Sequence, residues 1–174
     1  MLASLGTSEV VGTILCEGVA EAQRSADPDV DYRSALCRWE DDLFAEFREG
    51  HALMDYDAAV KMIGHVFRTF GKPAPTLKLV PGFDDPRVGG YADVARNCIA
   101  IETGFLYRFL VLHECAHILV PHDRKHGPAF TYVLQLLYRS YIGIPEDAVK
   151  RHLKAHGLPS HTALPSPEPM LLAG

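Results

Sequence analysis

At 174 residues, with 48% hydrophobic and 22% charged side chains, the chain has the size and make-up of one globular domain with a real core. A net charge of −5 and no run of Lys and Arg give no electrostatic reason for nucleic acid or an anionic membrane to be the main partner. No stretch is apolar over the length of a membrane span and the N-terminus lacks a basic leader, so Cys16, Cys37, Cys98 and Cys115, none of them in a C-x-x-C pair, read as reduced thiols of a cytoplasmic protein.

Residues 8–24 can form a first helix, broken by "SADPD". From Val30 to Arg48, Tyr32, Leu36, Trp39, Leu43 and Phe47 recur at helical spacing, and Gly50 ends that helix. Asp55 or Asp57 caps a third helix carrying Val60, Ile63, Val66 and Phe70, stopped by Gly71 and Pro73. The period then changes. "TLKLV" (76–80) alternates as a strand, and residues 90–102 read as two short strands around a turn near Arg96 and Asn97, with Ile99 and Ile101 facing one way.

Thr103 can cap the next helix, which is apolar nearly all round and is ended by Pro121. Pro128 suits the first turn of the helix after it. There Phe130, Val133, Leu134, Leu137, Tyr138 and Tyr141 form an apolar stripe, with Tyr132 on the opposite, exposed face. Gly143 closes that helix, and Pro145 opens a last one to about His156. The order of elements predicts an α+β fold, a small antiparallel three-stranded sheet packed with helices. It forms a single domain over 1–157, with N-terminal helices in 1–72, the sheet in 76–102 and three further helices in 104–157. The Pro/Ser-rich stretch 158–174 reads as a disordered tail.

The chemistry concentrates in "HECAHILVPHDRKHGPAF", residues 113–130. His113-Glu114-Cys115-Ala116-His117 fits H-E-x-x-H on a predicted helix. The four-residue spacing stacks both imidazoles on one face, where both reach one ion. The carboxylate beside the first histidine flanks that ion without ligating it. Zinc lowers the pKa of a bound water toward ~7, and Glu114 is then placed to act as general base. Two imidazoles and a carboxylate among Phe109, Leu110, Leu112, Ile118 and Leu119 are costly to desolvate, which favours a metal site over a structural histidine pair. A catalytic zinc needs a third protein ligand. His126, just before the Pro128 helix, is the favoured one, with His122 and Asp123 as alternatives and Glu146 as a more remote one. Cys115 points away from the shared face and reads as a small buried side chain.

The pair "HECAHILV" and "HGPAF" resembles the SprT-like and related minimal gluzincin zinc metallopeptidases. The run from "RSALCRWEDDLF" to the C-terminal "HGL" is similar to an uncharacterised actinobacterial group of metallohydrolases. The resemblance implies a zincin-like active-site helix and His126 as third zinc ligand. It also implies an edge strand, near Tyr91, that pairs with an extended peptide. Departures are equally specific. Val120 and Asp123 stand where the metzincin pattern has its glycine and third histidine, and the companion motifs of peptide deformylases are missing. No zinc-ribbon pattern follows, which with the acidic charge argues against a role on DNA.

Donors for a developing oxyanion can be sought among Tyr91, Tyr132, Tyr138, His122 and Arg124. His51, His65 and His161 have no metal spacing, and His152 and His156 read as a solvated helix face. The expectation is a zinc-dependent hydrolase acting on a peptide or protein. The alternatives are a non-catalytic zinc-containing binding or regulatory module and hydrolysis of a non-peptide amide.

Overall fold

A computed structural model describes residues 31–85, 88–120 and 126–160. The helix expected over 8–24, the residues His122, Asp123 and Arg124, and His161 lie outside the described residues.

The first described helix, α1 (Tyr32–Glu46), starts where the Asp31 carboxylate accepts from the Ser34 amide at 3.3 Å. It buries Leu36, Trp39, Leu43 and Phe44 and passes into a 3₁₀ turn, Arg48–His51. In α2 (Tyr56–Thr69), Asp55 is the cap, accepting from the Ala58 amide at 2.7 Å. Gly71, at φ +63°, supplies the left-handed turn that ends this stretch. Lys72 then reaches across to donate to the Leu119 carbonyl at 2.9 Å.

Three strands follow, β1 (Thr76–Val80), β2 (Gly90–Asp93) and β3 (Cys98–Glu102), in the order β1-β3-β2. The α+β class is as expected, but the sheet is mixed, not antiparallel throughout. The β2–β3 hairpin is antiparallel, with Gly90 opposite Ile101 and Asn97 at φ +47° in its turn. Yet β1 pairs with β3 in parallel, from Thr76 opposite Cys98 to Val80 opposite Glu102. The ties at both ends explain it. Thr76 N donates to the Asn97 carbonyl and Asn97 Nδ2 to the Ala74 carbonyl, which joins the two strand starts. Thr103 donates to the Val80 carbonyl from both its amide and its hydroxyl, which joins the two ends. Thr103 is thus spent on the sheet and does not cap a helix.

The central helix, α3 (Arg108–Leu119), begins four residues later than the sequence suggests. The backbone before it bonds sideways instead, Met54 N to Leu106 O and Arg108 N to Ala52 O. Pro128 opens α4 (Pro128–Tyr141), and Pro145 precedes α5 (Glu146–Ala155). Tyr132 is 1% exposed, contrary to the expected open face. Gln135, one turn along that face, donates to the Pro159 carbonyl, and Leu158 is buried beside it. The chain past α5 therefore covers this side, and the ordered body includes the start of the stretch expected to be a tail. His152 and His156 are not a free solvated face either. They meet Glu46 and Asp42 of α1 at 2.9 Å each, next to an Arg151–Glu46 pair. Among the described residues no helix is long and apolar enough to cross a membrane.

The core behind α3 is aromatic. Trp39 stacks on Tyr138 at 5.8 Å, and Phe44 meets Tyr138 and Phe109 at 5.0 Å each. Gly50 closes over this cluster: a Cβ there would overlap the Phe44 ring, which its neighbours hold in place. A Gly50→Ala protein is accordingly expected to lose about 1–3 kcal/mol of stability by overpacking, measured by urea unfolding.

Candidate metal centre

Helix α3 presents Phe109, Leu110, His113, Glu114 and His117 along one wall of a cleft of roughly 1030 Å³. The opposite wall is β2, against which α3 packs, and the N-terminal part of α1 lies at the rim. His126 joins from the residue pair before α4. Its backbone is left-handed, at φ +60°, a conformation that costs an L-residue about 1–2 kcal/mol. Gly127 then turns extended and Pro128 starts the helix, so the imidazole is carried over α3.

Each of His113, His117 and His126 offers a ring nitrogen within 4.8 Å of the other two. The Nε2 atoms of His113 and His126 face each other at 3.1 Å. A tetrahedral ion with Zn–N bonds of about 2.0–2.1 Å sets its ligand nitrogens about 3.3–3.4 Å apart. The cluster is therefore near the size that such an ion demands. Phe130 touches all three rings, with centroids 5.0, 4.3 and 4.8 Å from His113, His117 and His126. It is a rigid apolar floor that leaves the cleft as the open side.

Burial, and then the charges on His113 and His126, push the His117 pKa down to about 3. His117 is thus a neutral imidazole, the form that ligates a metal. His113 behaves oppositely. Burial disfavours its charged form, but the Glu40 carboxylate outweighs that and raises its pKa. His113 Nδ1–H donates to Glu40 Oε1 at 3.0 Å, and the Tyr138 hydroxyl donates to the same oxygen. Glu40 in turn is held below its ordinary pKa. Desolvation pushes it up, and the His113 charge with the hydrogen bonds from His113 and Tyr138 overcome that push.

Glu114 is 5% exposed and lines the cleft beside its histidine neighbours. Burial raises its pKa to about 7, against a smaller downward pull from His113. Its place depends on Gly90 of β2. A Cβ there would lie 3.0 Å from Glu114 Oε1, 3.1 Å from its Cγ and 2.9 Å from Ile101 Cδ1. The strand approaches the carboxylate as closely as a residue without a side chain allows.

The structure brings His113, Glu114, His117 and His126 to one cleft, as the motif spacing suggests. Other proposals are settled elsewhere. Glu146 pairs with Arg139 and Lys150, away from the cluster. Cys115 is buried, as expected of a packing residue, and burial pushes its thiol pKa up. Tyr132 and Tyr138 are core residues that do not line the cleft, whereas Tyr91 does and is 56% exposed. His65 Nδ1 meets the Tyr141 hydroxyl at 2.8 Å, and His51 sits among Phe44, Tyr107 and Phe109. Sequence reading missed Glu40 and Gly90. Glu40 carried a signal, since it falls inside the apolar stripe of Leu36, Leu43 and Phe47, where a carboxylate needs a partner.

Comparison of the chain with protein-family models, with curated proteins and with solved structures finds no match.

The donor set fits a divalent ion that favours imidazole nitrogen, zinc before calcium or magnesium. Purified protein is expected to hold one zinc per chain by elemental analysis. Stoichiometric metal should be lost in His117→Ala and in His126→Ala while circular dichroism stays native-like. Full metal content in His126→Ala would remove that residue from the ligand set.

Proposed function

We propose that the protein is a zinc-dependent hydrolase, and more specifically a metallopeptidase, with His113, His117 and His126 as ligands and Glu114 as general base. The observation that carries this reading is the position of Glu114. It is buried in the same cleft as the three clustered imidazoles, next in sequence to one of them.

His113, His117 and His126 would hold the zinc, which when bound would supply an acidified water and a Lewis acid for a carbonyl. The chain's own residues do the rest. Phe130 and the buried face of α3 keep the ligand side dry, so the open direction is the cleft. Glu114, the carboxylate buried in the cleft beside the imidazoles, would take a proton from the attacking water and deliver it to the departing amine. Peptides are favoured as substrates because the wall facing Glu114 is β2, which ends the order β1-β3-β2. An extended peptide can add to such an edge through its backbone, with alternate side chains turned toward the helix.

The test is a mass-spectrometric survey of a mixed peptide pool. Zinc-loaded protein is expected to cleave internal peptide bonds. Glu114→Gln should keep its zinc and lose about 10²–10⁴-fold in rate. Gly90→Ala should also keep zinc while slowing cleavage, because its methyl group displaces Glu114. A zinc-loaded protein that cleaves nothing, indistinguishable from Glu114→Gln, would instead be a binding module.

A further inference from the structure

We infer that Glu40, backed by Tyr138, is the positioning residue of the metal centre: from α1 it fixes His113 as an Nε2 ligand and strengthens its hold on a divalent cation. This rests on the reading of His113, His117 and His126 as the ligand set.

The starting point is a carboxylate where none is needed for packing. Glu40 is on the buried side of α1, between Leu36 and Leu43, and its side chain is only 11% exposed. A whole buried polar pair can generally be replaced by packed apolar residues without loss of stability, so burying a carboxylate here is not a packing requirement. The carboxylate therefore needs a reason, and its contacts supply one. Oε1 accepts from His113 Nδ1 at 3.0 Å across 73 residues of sequence. It also accepts from the Tyr138 hydroxyl across 98 residues.

The consequence for His113 is geometric. A neutral imidazole carries one proton. A carboxylate at Nδ1 keeps that proton on Nδ1 and leaves the Nε2 lone pair free. Nε2 is the atom that faces His126 Nε2 at 3.1 Å, where an ion would lie. The same contact fixes the ring plane and makes the ring a better electron donor, as carboxylate partners of metal-bound histidines do.

Tyr138 extends the chain of support. Its ring is fully buried, stacked on Trp39 at 5.8 Å and edge-on to Phe44 at 5.0 Å. The hydroxyl is thereby held rigidly, and it holds Glu40. Three helices, α4, α1 and α3, thus converge on one ligand. Among the described residues His117 has no comparable carboxylate; its neighbours are the rings of His113, His126 and Phe130. His113 is the anchored ligand against which the others close.

The experiment compares zinc affinity, by competition with a chromophoric chelator, with thermal unfolding of the metal-free proteins. Glu40→Leu leaves the Tyr138 hydroxyl and His113 Nδ1 without their acceptor, so it is expected to unfold at a lower temperature than wild type and to bind zinc about 10–100-fold more weakly. Glu40→Gln keeps the shape and an acceptor oxygen but not the charge, and should fall at the weaker end of that range. Tyr138→Phe should lose less than Glu40→Leu. In cobalt-substituted protein the visible absorption bands should shift in both Glu40 variants. Wild-type zinc affinity in Glu40→Leu, or in Glu40→Gln should the leucine variant not fold, overturns the assignment while leaving the metal centre standing. A wild-type protein that binds no divalent metal overturns both.

Discussion

The rest of the structure depends on a cluster of ionisable side chains gathered along one apolar helix. Glu114 is buried, and His113, His117, His126 and Glu40 are half-buried at the wall of the cleft, where taking charge out of water is costly. The arrangement offsets that cost by pairing. Glu40 and His113 sustain one another's charge against the opposite push of burial, which is why one is lowered and the other raised. A cation at Nε2 would take over the role that a proton has on His113, with Glu40 as counter-charge in either case. Glu114 has no partner so near, so burial dominates and lifts it to about 7. The pKa values of two carboxylates in one cleft are thereby driven in opposite directions, Glu40 down and Glu114 up.

Placing these groups uses nearly every element. Helix α1 is tied to the cluster by Glu40 and to α5 through Glu46 and Asp42. The last carbonyls of α3, left without intrahelical partners, are met by Lys72 at Leu119, where a cation also suits the helix dipole. Helix α4 gives three side chains to the site's support: Phe130 beneath the imidazoles, Thr131 back to its own start at the Gly127 carbonyl and, about two turns on, Tyr138 on Glu40. The burial of both faces of α4 follows from its surroundings. It is covered by α3 on one side and by the segment past α5 on the other, so even Gln135 and Tyr132 are buried.

What the sequence made legible was local. The four-residue histidine spacing, Asp55 and Pro128 at helix starts, and the hairpin centred on Asn97 all follow from contacts between near neighbours. His126 was legible because Gly127 and Pro128 force a helix to begin beside it. The parallel pairing of β1 with β3 was not, because it is decided by Thr103 and Asn97 acting on residues more than 20 positions away. Thr103 looked like a cap because cap and sheet-edge roles use the same hydroxyl. The roles of Glu40 and Gly90 were missed for a related reason. Each matters only through what α3 brings against it, though Glu40 within the stripe of Leu36 and Leu43 was a visible anomaly.

The closeness of β2 to Glu114 bears on how substrate and base would be registered. The strand residue opposite Ile101 is a glycine because Glu114 occupies the space where its side chain would stand. A peptide added to the outer edge of β2 would lie about 4.8 Å from that strand. Backbone hydrogen bonds would hold it at that edge, and its side chains would choose among registers two residues apart. Gly90 sits at the start of β2, so such a peptide would run past Glu114 and alongside Tyr91 toward Asp93. In the proposed reaction, then, one strand would serve two purposes. Its backbone edge would align the scissile bond, and its missing side chain would admit the carboxylate that moves the proton. A substitution at residue 90 would disturb proton transfer through Glu114 without removing the hydrogen-bonding edge, which separates the positioning of the base from the capture of the chain.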